Sequence, residues 1–489
     1  MTSSDHTYST ATELTAAIQA REISAVELAA AAIDRIERLD GDTNAVVVRD
    51  FDRALDGARK ADTARARGDR RPLLGVPTTV KESFNIAGLP TTWGIPQFKE
   101  FIATEDAVAV ARLKAAGAVI LGKTNVPVAL GDLQTYNDIY GTTNNPWDLT
   151  RTPGGSSGGS AAALAAGFGA LSIGSDIAGS LRVPAHFTGV YAHKPTFGLV
   201  PSRGHTAPPA PPLAYERDLT VVGPMARSAV DLSLMLDLLA VPDETTIGIA
   251  HRLELRAARH DDLSSFRVLV LDTHPLIPSS EPTRAAIDLL AERIAEAGAT
   301  VAHQSAHLPN LVESARVYMR LLLASVAAGN PPDGYESARG VAGNIDPSNK
   351  SLAAERGRGA ALSYRDWVAT DSERTQLRAQ WSELFREIDI VITPVTPTTA
   401  FFHDHSPDQW SRSIPIDEVE YDYADQLVWA GLSTAPGLPT TVVPIGKSDD
   451  KLPIGAQLIG PLFEDRTPLR FAELLEHAFG GYEAPPLQS

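Results

Sequence analysis

Cysteine is absent from all 489 residues. Disulfides, thiolate zinc sites, Fe–S clusters and a cysteine nucleophile are therefore excluded. Basic charge is in deficit: 43 Lys and Arg face 60 Asp and Glu, a net charge of −17. That balance opposes non-specific binding to nucleic acid and to anionic membrane, both of which need a basic surface. No uncharged apolar run reaches the ~18 residues that a membrane helix needs. The first residues, Met1 to Thr10, lack the basic-then-apolar order of a signal peptide. The expectation is a cytoplasmic protein with no nucleic-acid or membrane partner. What is present suffices for a large core, with 43% hydrophobic and 21% charged residues.

The chain is organised around the stretch from Thr152 to Ser180. It opens on a glycine-serine turn, Gly154-Gly155-Ser156-Ser157-Gly158-Gly159-Ser160, and continues into an alanine run, Ala161 to Ala166. Alanine is the strongest helix former, so the turn feeds a helix N-terminus. A second small-residue turn, Gly174-Ser175-Asp176-Ile177-Ala178-Gly179-Ser180, closes the stretch. Such a turn presents backbone N–H groups ahead of a serine hydroxyl, as an oxyanion hole requires.

Elsewhere Ser24 and Glu27 have capping-box spacing ahead of a helical apolar pattern. The N-terminal helices, about residues 10–67, enclose a short strand at Ala45 to Val48. Leu73 to Val80 reads as a strand end delivering Lys81. Ala107 to Ala116 is helical by pattern, and Ala118 to Leu121 is a buried strand. The four prolines between His205 and Pro212 exclude regular helix and interior strand there. Phe266 to Asp272, the apolar face Ile287, Leu290, Ile294 and Ala297, and Val301 form a βαβ-like unit. Ile388 to Thr393 and Thr440 to Val443 are further strands, and a closing helix follows Glu464. Residues about 305–375, rich in Gly, Asn, Ser and charge between 330 and 360, read as a variable insertion on the core of about 70–240. With no repeat and no long linker, one domain over 1–489 is expected. The alternation implies an α/β/α layered fold.

The run GGSSGGSAAALAAG, then GSD and GS before Leu181-Arg182-Val183-Pro184-Ala185, and Lys194-Pro195-Thr196, resembles the amidase signature family of serine amidohydrolases. Gly75 to Glu82, Gly122-Lys123-Thr124-Asn125, Asn145-Pro146-Trp147-Asp148, Gly437-Leu438-Pro439 and Leu452 to Gln457 match as well. The resemblance spans roughly residues 10 to 480. It implies a central mixed twisted β-sheet surrounded by helices. It also implies a Ser-cisSer-Lys triad of Ser180 as nucleophile, Ser156 as proton relay and Lys81 as base. By the same resemblance the N–H groups of Ile177, Ala178, Gly179 and Ser180 form the oxyanion hole. The spacing agrees: 75 residues separate Lys81 from Ser156, and 24 separate Ser156 from Ser180.

The implied reaction is amide hydrolysis through an acyl-enzyme, giving a carboxylic acid and ammonia or an amine. Esters, anilides and carbamates pass through a similar tetrahedral state. The absence of cysteine matters here, because another large class of amide hydrolases depends on it. No metal and no organic cofactor is implied. The partners expected are a small-molecule amide and, as one option, a second copy of the chain. Leu130, Gly131, Asp132, Gln134 and Thr135 are the candidate substrate-binding residues, with Phe401-Phe402 and the proline-rich loop nearby. One departure stands out: the family has two glycines before the nucleophile, and this chain has Ala178-Gly179. A positive φ at Ala178 costs roughly 1 kcal/mol or more.

Other readings compete. Gly117 to Thr124 fits the GxxxxGK-Thr pattern of a nucleotide-binding loop, but Ala-Val-Ile-Leu between its glycines reads as strand. Gly154 to Gly158 fits the GxSxG elbow of an esterase, with Ser156 as nucleophile and His303, His307, His403 or His405 as base. The family also contains the glutamine-hydrolysing subunit of tRNA-dependent amidotransferases. Residues 363–381 are instead similar to stand-alone amidases, lacking the tyrosine- and arginine-rich segment expected of that subunit. A non-catalytic scaffold is disfavoured by the intact Lys81, Ser156 and Ser180.

Overall fold

The computed structural model describes residues 6–212 and 216–487. The first part of the polar N-terminus, Met1 to Asp5, lies outside the described residues. One mixed sheet of 11 strands runs through the molecule. Its spatial order is Val46–Arg49, Val119–Thr124, Pro77–Lys81, Leu171–Asp176, Val221–Ala226, Tyr191–Lys194, Thr440–Lys447, Pro453–Ile459, Ile390–Pro394, Arg267–Val270 and Thr300–Ala302. Pro77–Lys81 runs parallel to both of its neighbours. So does Arg267–Val270, and every other neighbouring pair is antiparallel.

Helices cover both faces, which is why interior strands such as Pro77–Lys81, Leu171–Asp176, Val221–Ala226 and Pro453–Ile459 are buried at every position rather than at alternate ones. Val268 and Val270 enter one core while Leu269 enters the other; Ile390 and Ile392 oppose Val391 in the same way. This two-sided alternation follows from the period of 2 along a strand. The first core receives Leu14 and Ile18 of the helix Ala11–Ala20, and Ile287 and Ile294 of the helix Glu281–Glu296. The second receives Tyr318 and Leu322 of the helix Leu311–Ala327, and Trp381 of the helix Tyr364–Glu387. The molecule is thus an α/β/α arrangement around a mixed sheet, as expected.

Most expected elements form. The capping box is complete: Glu27 N–H donates to Ser24 Oγ at 3.1 Å, and Ser24 N–H to Glu27 Oε2 at 2.8 Å. The alanine run is the helix Gly158–Ala165. Two readings change. The second small-residue turn does not start at Gly174: the strand continues to Asp176, because Gly174, Ser175 and Asp176 pair with Gly223, Val222 and Val221. The partner strand, Val221–Ala226, has no alternating pattern to announce it. Residues 330–360 are also more ordered than their composition suggests, holding the helices Pro332–Gly343 and Leu352–Ala360. Within the 305–375 span read as an insertion, the helix Leu311–Ala327 is largely buried.

Candidate active site

Lys81 is the last residue of Pro77–Lys81, the third strand in from the Val46–Arg49 edge of the sheet, and its side chain is fully buried. Its Nζ lies 2.8 Å from Ser156 Oγ, 2.9 Å from Ser157 Oγ and 3.0 Å from Ser175 Oγ. Burial disfavours the ammonium and brings its pKa down to about 7, against the opposing pull of the Asp176 carboxylate. An ammonium here donates to all three hydroxyls. A neutral amine donates to two and accepts from the third, so the cluster holds a hydroxyl whose proton points at a base. Ser156 follows a cis peptide bond from Gly155. Ser157 N–H donates to the Ser180 carbonyl at 3.1 Å, tying the turn that carries Ser156 to the turn that carries Ser180.

The Ser180 turn hangs on a buried ion pair. Asp176 accepts Gly179 N–H at 2.9 Å on Oδ1 and Leu181 N–H at 3.0 Å on Oδ2. Arg182 grips the same carboxylate with two bonds, Nη2 to Oδ1 at 2.9 Å and Nε to Oδ2 at 3.0 Å. It continues to the Ala430 carbonyl, Ser433, Thr434 and Gln457. Burial pushes the Asp176 carboxyl up, but Arg182, the Leu181 N–H and the Lys194 charge outweigh it and hold the pKa at about 2. Asp176 and Arg182 therefore brace the turn. Arg182→Met is expected to lose about 3–5 kcal/mol of stability, because it strands a buried carboxylate. Urea unfolding measures this, and a loss under ~1 kcal/mol would show the pair to be dispensable.

This bracing revises the expected oxyanion hole. The Gly179 N–H is engaged by Asp176, whereas Ile177, Ala178 and Ser180 line the open cavity. Three of the four expected N–H groups remain candidates. Gly179 has φ +97°, which an L side chain tolerates poorly; Ala178 is not among the residues with positive φ. The alanine in place of the usual glycine thus carries no left-handed strain.

The cavity beside Ser180 has a volume of about 130 Å³. Of the candidate substrate-binding residues, Leu130, Gly131 and Asp132 line it. Gln134 and Thr135 do not. Gln134 clamps the Asp404 backbone through bonds of 2.7 and 2.9 Å, and Thr135 Oγ1 donates to the Gly154 carbonyl at 2.8 Å. Phe402 is exposed under the Arg151 guanidinium, and Phe401 packs edge-on against Phe187 and Tyr423. His205, from the proline-rich loop, is buried against Phe84 and Trp93.

Sequence reasoning missed Ser157 and Ser175 as partners of Lys81, although both sit in the motif. It also missed the far wall: Leu322, Leu323 and Val326 of the helix Leu311–Ala327, Gln409-Trp410, and Tyr423, Ala424 and Leu427. No local signal brings those segments to residue 180.

The competing motifs dissolve on geometry. Gly122 to Thr124 lie inside a strand, and a Cβ on Gly122 would meet the Val48 carbonyl oxygen at 2.2 Å. Lys123 is buried and bonds Thr91 Oγ1 at 2.8 Å and the Pro90 carbonyl, so it is not available to a phosphate. For the esterase elbow, Ser156 is bonded to Lys81 and not to a histidine. His303 is exposed, His307 pairs with Glu387, and His405 stacks on Tyr136.

The amidase family model matches residues 27–469. Fatty-acid amide hydrolase 2-A of Danio rerio is 31% identical over 97% of this chain and 89% of its own length. A glutamyl-tRNA(Gln) amidotransferase subunit of Anaeromyxobacter sp. (strain K) is 35% identical over 97% of each chain. The solved structure of a bacterial aryl acylamidase superposes with a TM-score of 0.80 at 24% identity, over 97% of this chain and 96% of that one, which shows the shared fold. The molecule is an α/β enzyme of the class that hydrolyses carbon–nitrogen amide bonds. The chain belongs to the amidase family.

Proposed function

We propose that this enzyme hydrolyses a small-molecule carboxamide through a Ser180 acyl-enzyme, with Ser156 as relay and Lys81 as base. The observation that carries the reading is a fully buried lysine nitrogen 2.8 Å from the Ser156 hydroxyl, in a cluster tied to the Ser180 turn. Ser180 Oγ attacks the carbonyl carbon, and its proton passes through Ser156 to neutral Lys81. The N–H groups of Ile177, Ala178 and Ser180 are the donors for the oxyanion, each worth roughly 3 kcal/mol of barrier. The proton returns from Lys81 to the leaving nitrogen, and water then hydrolyses the acyl-enzyme. A serine hydroxyl needs such a base, and lysine serves only when neutral.

Release of ammonia or amine from a panel of aryl and alkyl amides, with matched esters, tests the activity. Activity is expected to survive EDTA unchanged. A loss that zinc restores would sink the lysine mechanism.

The relatives named as amidotransferase subunits favour a second reading, in which the chain cleaves glutamine within a larger complex. Glutaminase activity of the isolated chain, measured against the amide panel, separates the two.

A further inference from the structure

The cavity beside Ser180 has an apolar wall of Leu133, Leu322, Leu323, Val326, Trp410 and Leu427. Among the described residues, polar side chains enter it only from Asp132, Gln409, Tyr423 and Ser180 itself. The Asp132 carboxylate is already occupied. Arg412 Nη1 donates to its Oδ2 at 2.7 Å, as does Tyr136 OH at 3.3 Å, and Tyr423 OH donates to its Oδ1 at 2.9 Å. The Asp132 and Arg412 side chains are only 7% and 2% exposed, so the pair is dry. Arg412 directs its other donors to the Ser406 carbonyl and Tyr136 OH. Among the described residues no lysine or arginine lines the cavity.

We propose that this pocket admits an uncharged, apolar acyl group about the size of one aromatic ring and turns away the zwitterionic acyl group of an amino-acid amide such as glutamine. The inference rests on the amide-hydrolysis reading for the chemistry at Ser180. An entering carboxylate sheds its water and meets no cation, because Arg412 is held by Asp132. An entering ammonium meets a carboxylate already neutralised. An apolar ring loses only water it binds weakly. The volume matches: about 130 Å³ is close to the roughly 150 Å³ of an apolar cavity that holds benzene.

The test is calorimetric binding to full-length Ser180→Ala, which cannot turn over, with benzamide and glutamine as probes, alongside kcat/KM of the wild type on both. Benzamide is expected to bind at least about 100-fold more tightly than glutamine, the scale set by an unpaired buried charge. In Leu323→Arg, a cation in the wall should shift the ratio of succinamate to benzamide turnover towards succinamate by at least about tenfold. If Ser180→Ala does not fold, the wild-type kcat/KM ratio decides alone. Glutamine bound or cleaved as well as benzamide overturns the pocket assignment and leaves amide hydrolysis standing. Benzamide bound selectively by an enzyme that turns over no amide overturns amide hydrolysis and leaves the pocket assignment standing. Binding of neither overturns the assignment.

Discussion

Ser180→Ala is expected to lose about 10⁶-fold in kcat, the scale of removing a serine nucleophile elsewhere, while unfolding close to the wild type. The two expectations come from different parts of the residue. Its backbone is structural, since the carbonyl accepts Ser157 N–H at 3.1 Å. Its hydroxyl has no hydrogen-bond partner among the described residues and faces the cavity. Truncating it removes no packing and strands no polar group, so the stability change should stay within about 0.5 kcal/mol. A fluorophosphonate should label Ser180 in the wild type, with peptide mapping to locate the adduct. Ser156 is deeper and bonded to Lys81, and an adduct there would reverse the two assigned roles.

Activity should rise with pH through about 7, the value to which burial brings Lys81. Below it the ammonium has no lone pair, so kcat/KM falls about tenfold per pH unit. Above it the rate reaches a plateau. Lys81→Met should lose about 10²–10⁴-fold on an amide and flatten the profile. A matched ester should lose less, since an alkoxide leaves without a returned proton more readily than an amine. Stability carries a matching signature. The folded pKa lies below the unfolded one, so between about 7 and 10.5 the unfolded chain binds more protons and the wild type gains stability as pH rises. Lys123 and Lys194 are also lowered by burial, to about 8 and 7. The comparison with Lys81→Met isolates the share of Lys81. Urea midpoints of both proteins from pH 6 to 9, beside kcat/KM over the same range, make the measurement. A variant with near-wild-type amidase activity would leave the lysine a structural role only.

Local signals carried the fold a long way. Helical periodicity, a capping box and the alanine run each write their outcome into neighbouring residues. The strand before Lys81 was legible for the same reason, whereas the three candidate catalytic side chains came from the family resemblance, whose motifs lie within a hundred residues of one another. What escaped depended on distant pairing. Val221–Ala226 contains Gly223 and Pro224 and lacks a β signature, and it is a strand because it lies against Leu171–Asp176. Gly179 looked like an oxyanion donor until Asp176, three residues earlier, proved to claim its N–H. The pocket wall was out of reach because helix 311–327 and residues 409–427 meet residue 180 only in the folded sheet. Gln134 and Thr135 do not line the cavity because their side chains are engaged elsewhere, with the Asp404 backbone and the Gly154 carbonyl.

The strands Thr440–Lys447 and Pro453–Ile459 lie at the centre of the sheet, not at its edge. Arg182, which holds the Ser180 turn, is itself held by Ala430, Ser433, Thr434 and Gln457. During synthesis, the ribosome therefore finishes Lys81, Ser156 and Ser180 long before it makes what fixes their geometry. Such long-range pairing forms late, because a long loop must close before the contact can stabilise it. Until residue 457 has emerged, the nascent chain carries every proposed reacting group, while Arg182 still lacks partners that hold it from the far side of the turn.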